Sequence, residues 1–284
     1  MTTPLSYLTT LYGAATSTSA AGSLLSALYG YNGQSTNSLG QNPVTALESA
    51  KKNQAQGIKM TAAEPEVKRA IDGFTSAVTS AKSVQQLLSN PNVMQVLLTA
   101  NGLGDQAAYT ALAQKALTSN VNDPKSLANR LSDTRWKSVA QTYDFANKGL
   151  SVIQDPKVIS TIANAYAEVT WRNSLNATTP GLSNALAFRS EASTITSVDQ
   201  ILGDPVMRNV VTTTLGVPLE IAFQSLEAQE KAISSRLDIK QFKDPKFVES
   251  FTQRYLIAAN QNSAGTNQTS SLTALAAQAR GLVV

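Results

Sequence analysis

Histidine and cysteine are both absent from the 284-residue sequence. The lack of cysteine excludes disulfides, thiolate nucleophiles and metal sites built from thiolates. The lack of histidine removes the commonest general base and the commonest ligand of transition metals. Ser-His-Asp and Cys-His catalysis are therefore excluded, while an enzyme that works through carboxylates or lysine remains possible. We expect no catalytic, cofactor-binding or metal-binding residues, and no cofactor.

Charge and long apolar runs are also scarce. Charged residues make up only 15% of the chain, whereas about a quarter is usual in globular domains. The net charge of +4 is scattered in small groups such as Lys51-Lys52, which argues against nucleic-acid binding because such proteins concentrate basic residues on one face. No apolar run approaches the ~18 residues of a membrane span, and the first residues lack the basic start of a cleaved signal peptide. These features predict a protein that stays in the cytoplasm or is exported without a cleaved signal.

Proline supplies the clearest positive pattern, since six of the ten prolines follow Asn or Asp. An Asn or Asp side chain can accept hydrogen bonds from the free amides of a first helical turn, and proline at the next position fixes φ without losing a bonded N–H. Each pair, and Thr179-Pro180 in the same form, predicts a helix start, although one or two of them can instead open turns. The six pairs are Asn42-Pro43, Asn90-Pro91, Asp123-Pro124, Asp155-Pro156, Asp204-Pro205 and Asp244-Pro245.

Apolar residues recur at helical spacing along much of the chain. This spacing is present in the segments after Asp155 and after Asp244. It also predicts one continuous helix over residues 133–150 and another over residues 218–237. No segment shows the alternation of β-branched residues that is typical of a strand. The sequence therefore predicts an all-α fold, a domain built of many helices.

An internal repeat is visible in the sequence. Residues 83–97 align with residues 197–211 at an offset of 114, and the identical residues include apolar as well as capping positions. The tripeptides at 123–125 and 244–246 are also identical, at an offset of 121. The simplest interpretation is the duplication of a helical unit. A chance similarity between helix-start sequences is the alternative.

The two ends of the chain differ from its middle. Residues 1–47 and 255–279 contain no charged residue and are rich in Ala, Ser, Thr, Asn and Gln. They fit either flexible tails or weakly amphipathic segments that become ordered only against a partner. We therefore divide the chain into a low-charge segment 1–41, a duplicated helical domain 42–258 and a low-charge segment 259–284. The middle domain is expected to fold by itself, and the ends to contribute to self-association or partner binding.

Two short patterns could carry chemistry, but each has a simpler structural interpretation. Gly102-Leu103-Gly104 resembles part of a nucleotide-binding loop, yet it follows a helical run where that loop requires a strand. A helix end and a turn is the better interpretation, with Asp105 able to cap the next helix. Glu227 and Glu230 could present two acids side by side for an enzyme. A solvated helix face is the usual meaning of their spacing.

Several stretches, taken in order, resemble a known family. They are Glu64-Pro65-Glu66-Val67, Ala100-Asn101-Gly102-Leu103, the segment DPKSLANRLSDTRW at 123–136, LEAQE at 226–230, and FKDPKFV at 242–248. Together they are similar to the bacterial family called domain of unknown function 1217, over roughly residues 43–258. The resemblance implies an all-helical protein that is often encoded beside flagellar genes in alphaproteobacteria. It implies no established activity and no catalytic residues.

The resemblance and the composition lead to the same functional expectation. Axial flagellar proteins are typically exported without a cleaved signal, typically lack cysteine, and pair their ends as helices on assembly. We therefore expect a flagellum-associated structural or assembly protein without catalytic activity, whose partners are flagellar components or copies of itself. A cytoplasmic helical adaptor or export chaperone is the alternative, and an enzyme that uses carboxylates or lysine is a third hypothesis.

Overall fold

The structure, a computed structural model, describes residues 42–261. All regular secondary structure within this range is helical, which confirms the predicted all-α class. The predicted low-charge segments lie outside the described residues, apart from positions 259–261, which continue the last helix beyond the expected boundary at 258. The division of the chain into three segments therefore stays a prediction.

The α-helices follow one another closely along the chain. They are α1 (Pro43–Ala63), α2 (Pro65–Ser80), α3 (Val84–Leu88), α4 (Pro91–Ala100), α5 (Thr110–Leu117), α6 (Leu127–Arg130), α7 (Arg135–Tyr143), α8 (Phe145–Lys148), α9 (Pro156–Leu175), α10 (Leu182–Glu191), α11 (Val198–Gly203), α12 (Pro205–Leu215), α13 (Leu226–Ser234) and α14 (residues 245–261). Short 3₁₀ turns lie at Gly104–Gln106, Ala192–Thr194, Leu219–Phe223 and Ile239–Lys243.

The helices enclose two hydrophobic cores that share α9. The first core is formed by α2 to α5, α7, α8 and the N-terminal half of α9, where Ile159 and Ile162 are buried. The second core is formed by the start of α1, by α10 to α14 and by the C-terminal half of α9, where Trp171 is buried. Phenylalanine rings pack in pairs in the second core, with centroids 5.2 to 6.0 Å apart. They belong to Phe188, Phe242, Phe247 and Phe251.

Five of the seven expected helix starts are confirmed. The side chains of Asn42, Asn90, Asp155, Asp204 and Asp244 each accept a hydrogen bond from an amide of the first turn of a helix. The other two pairs are turns, as the sequence analysis allowed for one or two of them. The pair at 123–124 opens a turn in which Asp123 accepts from the amide of Lys125. After the pair at 179–180, Gly181 has a φ of 82°, so helix α10 begins only at residue 182.

Two of the predicted continuous helices are wrong. Over residues 133–150 the first helix ends at Tyr143, because Asp144 adopts the left-handed conformation with a φ of 46°. This reversal lets Phe145 enter the first core and stack on the ring of Tyr143 at 5.8 Å. Over residues 218–237 a 3₁₀ turn comes first, and Ser225 then caps α13 by accepting from the amide of residue 228. Apolar spacing continues across both breaks, so periodicity alone does not show them.

The repeated sequences form helix pairs with matching caps. Ser83 begins α3 and Ser197 begins α11, and each hydroxyl accepts a hydrogen bond from the amide three residues further on. Asn90 and Asp204 then cap α4 and α12 in the same way. The first pair lies in the first core and the second pair in the second core. These likenesses are local, so the duplication of a whole unit stays a prediction.

Ion pairs connect helix α1 to two other helices of the second core. Nζ of Lys51 lies 3.0 Å from Oε1 of Glu249 in α14, and Nε of Arg189 in α10 lies 2.9 Å from Oε2 of the same carboxylate. Burial raises the pKa of Glu249, but the hydrogen bonds and charges of the two cations outweigh it, so the pKa of this carboxyl group is lowered. One carboxylate therefore joins three helices.

Gly57 of α1 packs against the ring of Trp171 in α9. A Cβ atom built on Gly57 would lie 2.2 Å from Nε1 of Trp171 and 2.7 Å from Cε2 of the same ring. Carbon atoms do not approach nitrogen or carbon to such distances without displacement of one side. The crossing of the two helices therefore requires glycine at this position, although glycine is a poor helix former.

We predict that Gly57→Ala destabilises the protein by about 1–3 kcal/mol, because the added methyl group overpacks the contact with Trp171. In an unobstructed helix the same change would stabilise by about 1 kcal/mol. Guanidinium denaturation followed by far-UV circular dichroism measures the difference. Gln56→Ala, at an exposed position of α1, is the matched control and should stay within about 0.5 kcal/mol of the wild type. Equal stability of Gly57→Ala and the wild type would contradict the close crossing.

Candidate functional site

A cleft with a volume of about 1000 Å³ lies between the two cores. One wall consists of the end of α4 and the start of α7, which belong to the first core. The opposite wall consists of α10, the end of α11 and the start of α12, and residues 166–173 of α9 form the third side. From the sequence we expected no site residues, and no sequence pattern predicted this cleft. A large concave site of this kind is where ligands and partners commonly bind.

Arg135 is the most strongly held side chain of the cleft. Its Nη2 lies 2.6 Å from Oδ2 of Asp133, its Nη1 donates to the carbonyl of Gly102, and Asp105 lies 3.5 Å away. Only 11% of the side chain is exposed. Burial lowers the pKa of Arg135, but the hydrogen bond and charge of Asp133, with the charges of Asp105 and Asp204, outweigh it, so the pKa is raised. The guanidinium group thus fixes the turn after α4 to the start of α7.

The turn at Gly102-Leu103-Gly104 ends a helix, as the sequence predicted. Gly102 has a φ of 75°, and the amide of Leu103 donates to the carbonyl of Leu98 at 2.7 Å. The expectation that Asp105 caps the next helix is wrong. Helix α5 begins at Thr110 without a side-chain cap, and Asp105 faces Arg135 because the turn folds back towards the start of α7.

The two walls meet at Gly203. The amide of Thr134 donates to the carbonyl of Gly203 at 3.0 Å. A Cβ atom on Gly203 would lie 2.5 Å from Cγ2 of Thr134 and 3.1 Å from the carbonyl oxygen of Ser132. The absence of a side chain therefore allows the backbones of the two cores to bond directly at the edge of the cleft.

Side-chain amides and hydroxyls line the wall that belongs to the second core. The hydroxyl of Tyr255 donates to Oδ1 of Asn209 at 3.0 Å, and Nδ2 of Asn184 lies 3.4 Å from both groups. Next to them, Oγ of Ser183 donates to Oδ1 of Asn173 at 2.8 Å. Burial raises the pKa of Tyr255, while its hydrogen bond with Asn184 acts in the opposite direction. This wall therefore offers groups that both donate and accept hydrogen bonds.

Charges of both signs face the cleft. Desolvation raises the pKa of Glu191, the charge of Asp204 raises it further, and Arg172 and Arg135 oppose the rise. Glu191 as a whole is exposed to solvent, so solvent screens its carboxyl group and limits the free energy that this shift carries. Only 12% of the Arg172 side chain is exposed, and Glu168 lies 3.9 Å from it. The cleft thus combines polar and apolar lining with three carboxylates and two guanidinium groups.

Glu227 and Glu230, weighed above as a pair of acids, do not line the cleft. Both lie on α13, where Glu227 is exposed and Glu230 is half-buried. A hydrogen bond with Asp199 raises the pKa of Glu230, and desolvation and the charges of Asp199 and Glu227 add to the rise. The structure thus pairs Glu230 with an aspartate from α11, a contact between distant parts of the sequence.

Two negative findings complete the description of residues 42–261. Within this range no group of three or more carboxylates has the arrangement of a metal site. None of the helices in the same range is long and apolar enough to span a membrane.

Comparison with known proteins agrees with the fold. A family described as "Protein of unknown function (DUF1217)" matches residues 100–248, a little over half of the chain. The crystal structure of a protein from Agrobacterium tumefaciens superposes with a TM-score of 0.66 at 24% identity. The similarity covers 80% of this chain and 97% of that one, and at this identity it concerns the fold alone. No curated protein matches the chain.

We predict that Asp133→Ala lowers the free energy of unfolding by about 2–3 kcal/mol, because Arg135 is then buried without its closest partner. The double variant Asp133→Ala/Arg135→Met should recover most of this loss, since no charge is left unpaired. Urea denaturation of the three proteins measures both effects. If the double variant is as unstable as the single one, packing and not charge explains the loss.

We predict that Glu191→Gln makes stability less dependent on pH. A carboxyl group whose pKa is raised on folding favours the folded state while it is protonated. That contribution is complete below the unfolded pKa and is lost as the pH rises through the folded pKa. The wild type should therefore match Glu191→Gln at low pH and become less stable than the variant towards neutral pH. Urea denaturation between about pH 4 and pH 8 checks this, and a difference that is constant with pH would contradict it.

Proposed function

The chain belongs to the DUF1217 family of proteins of unknown function, and on that premise we propose that it is a non-catalytic assembly protein that binds a partner polypeptide. The observation that carries this proposal is the wide cleft between the cores, lined by amides, hydroxyls and charges of both signs. We further propose that the partner is a component of the bacterial flagellum. The family resemblance supports this part, because it implies genes that often lie beside flagellar genes in alphaproteobacteria.

The chemistry of the cleft suits a polypeptide better than a nucleic acid. A peptide backbone presents N–H and C=O groups in alternation, and a side-chain amide can pair with both at once. Gln95, Asn184 and Asn209 line the cleft with such amides. The charges of Arg172 and Glu191 are of opposite sign, whereas a nucleic-acid surface requires an excess of basic groups.

Binding also accounts for the composition better than catalysis does. The sequence has no histidine and no cysteine, so the commonest general base and the most nucleophilic side chain are missing. The raised pKa of Glu191 is the strongest support for an enzyme, since perturbed carboxyl groups in clefts often act as general acids. Desolvation of a carboxyl group such as that of Glu191 is also expected in a binding cleft. The proposed assembly role requires no further chemical group.

A cytoplasmic adaptor or export chaperone is the second candidate. The same cleft would hold one client segment before that client is exported. Cellular location separates the two roles, because a structural component would be found in sheared flagella and a chaperone only in the cytoplasm with its client.

We predict that deleting the gene impairs swimming and that a protein with a blocked cleft does not restore it. Ala187→Arg introduces a long charged side chain at a half-buried position that lines the cleft. Ser190→Arg adds the same side chain at an exposed position of the same helix outside the cleft, and it should restore swimming. Swimming on soft agar, with circular dichroism to confirm folding of both variants, measures the outcome.

Two results would contradict different parts of the proposal. Normal swimming of the deletion strain would reject the flagellar role. Full restoration of swimming by Ala187→Arg would reject the cleft as the binding site while leaving the flagellar role in place.

A further inference from the structure

Among the side chains that the structure describes, the most exposed large apolar one is that of Phe223, at 91% exposure. It ends the 3₁₀ turn Leu219–Phe223, and Leu226 follows at 57% exposure as the first residue of α13. Isolated exposed apolar residues are ordinary, but these two lie only three positions apart, at the end of the turn and the start of α13, and together they expose apolar surface there. This surface lies outside the cleft, whose lining includes neither residue.

The turn that carries Phe223 is held in place. Its amides form the hydrogen bonds of a 3₁₀ turn, with Gln224 donating to the carbonyl of Ile221 at 3.0 Å. The side chain of Gln229 reaches back from α13 and donates to the carbonyl of Gln224 at 2.9 Å. A turn whose backbone is held in this way loses little backbone entropy on binding, which favours its use as a contact segment.

The charged residues from position 209 to 230 are all acidic, and Lys231 follows them directly. Between Arg208 and Lys231 the sequence contains Glu220, Glu227 and Glu230 and no basic residue. Within the described part of the chain none of these three glutamates belongs to a salt bridge. Asp199 lies beside Glu230 and adds a fourth carboxylate. A local excess of negative charge therefore surrounds the apolar surface, although the chain as a whole carries +4.

We propose that this acidic elbow, residues 218–230, is a docking surface for a protein segment in which a large apolar side chain is flanked by lysine or arginine. Charge complementarity selects this occupant, because basic groups would pair with the exposed Glu220 and Glu227, which form no salt bridge among the described residues. The ends of the same chain do not fit, since residues 1–47 carry no charge and the last 23 residues carry only Arg280. The proposal is independent of the role of the cleft.

Synthetic peptides of about 16 residues test the proposal on the full chain. One peptide combines leucine with lysine on an amphipathic helix, a second replaces lysine by glutamate, and a third replaces leucine by serine. Fluorescence anisotropy at low salt should show binding of the leucine–lysine peptide alone. Higher salt should weaken that binding, because ions screen exposed charges.

Variants decide whether the peptide binds at the acidic elbow. Phe223→Ser and the double change Glu227→Gln/Glu230→Gln should each weaken binding about tenfold or more. Tyr109→Ser removes another large exposed apolar side chain, at 60% exposure, and should leave binding unchanged. Circular dichroism confirms that each variant is folded, which is expected because all these positions lie at the surface.

Three outcomes would overturn the proposal. The full chain binding none of the peptides would show that the surface is unsuited to this partner or already covered. Equal binding by Phe223→Ser and the wild type would put the peptide elsewhere. A dimer in sedimentation that Phe223→Ser dissociates would make a second copy of the chain the occupant instead of a basic partner.

Discussion

The contact between Gly57 and Trp171 fixes the arrangement on which the cleft depends. Helix α9 gives Ile159 and Ile162 to the first core and Trp171 to the second, so one rigid helix sets the distance between them. The close crossing with α1 leaves the buried Nε1 of Trp171 without a hydrogen-bond partner among the described residues. An unpaired buried N–H is costly, and its presence here indicates that packing against glycine determines the geometry of the crossing.

The walls of the cleft are joined and ordered before any partner binds. Thr134 and Gly203 bond backbone to backbone across the two cores, and Arg135 holds the turn after α4. On the opposite wall, Asn184 and Asn209 are already oriented by the hydroxyl of Tyr255. Side chains that are held in advance lose less entropy on binding, so hydrogen bonds to a partner contribute more of their energy to affinity. The cleft is therefore suited to recognition by hydrogen bonding.

Local chemistry was predictable from the sequence, whereas distant contacts were not. Capping involves residues only two or three apart, and five helix starts followed from Asn or Asp before proline. The break at Asp144 depends on the packing of Phe145 in the first core. No local sequence pattern indicates this packing. The cleft joins Arg135, Glu191 and Asp204 from separate elements. Only the Asp133–Arg135 pair joins residues that are close in sequence, two positions apart, so only this part of the cleft could be suspected from the sequence.

The cleft and the acidic elbow are suited to recognising partners through different interactions. In the cleft, charges of opposite sign lie together, and amides and hydroxyls supply the specificity. At the elbow, the exposed Glu220 and Glu227 flank Phe223 in the sequence and give a local charge opposite in sign to the net charge of the chain. Exposed charges act over longer distances than hydrogen bonds and are screened by salt. The elbow is therefore suited to capturing a basic segment from solution, and the cleft to holding a polypeptide in a defined position once it has arrived.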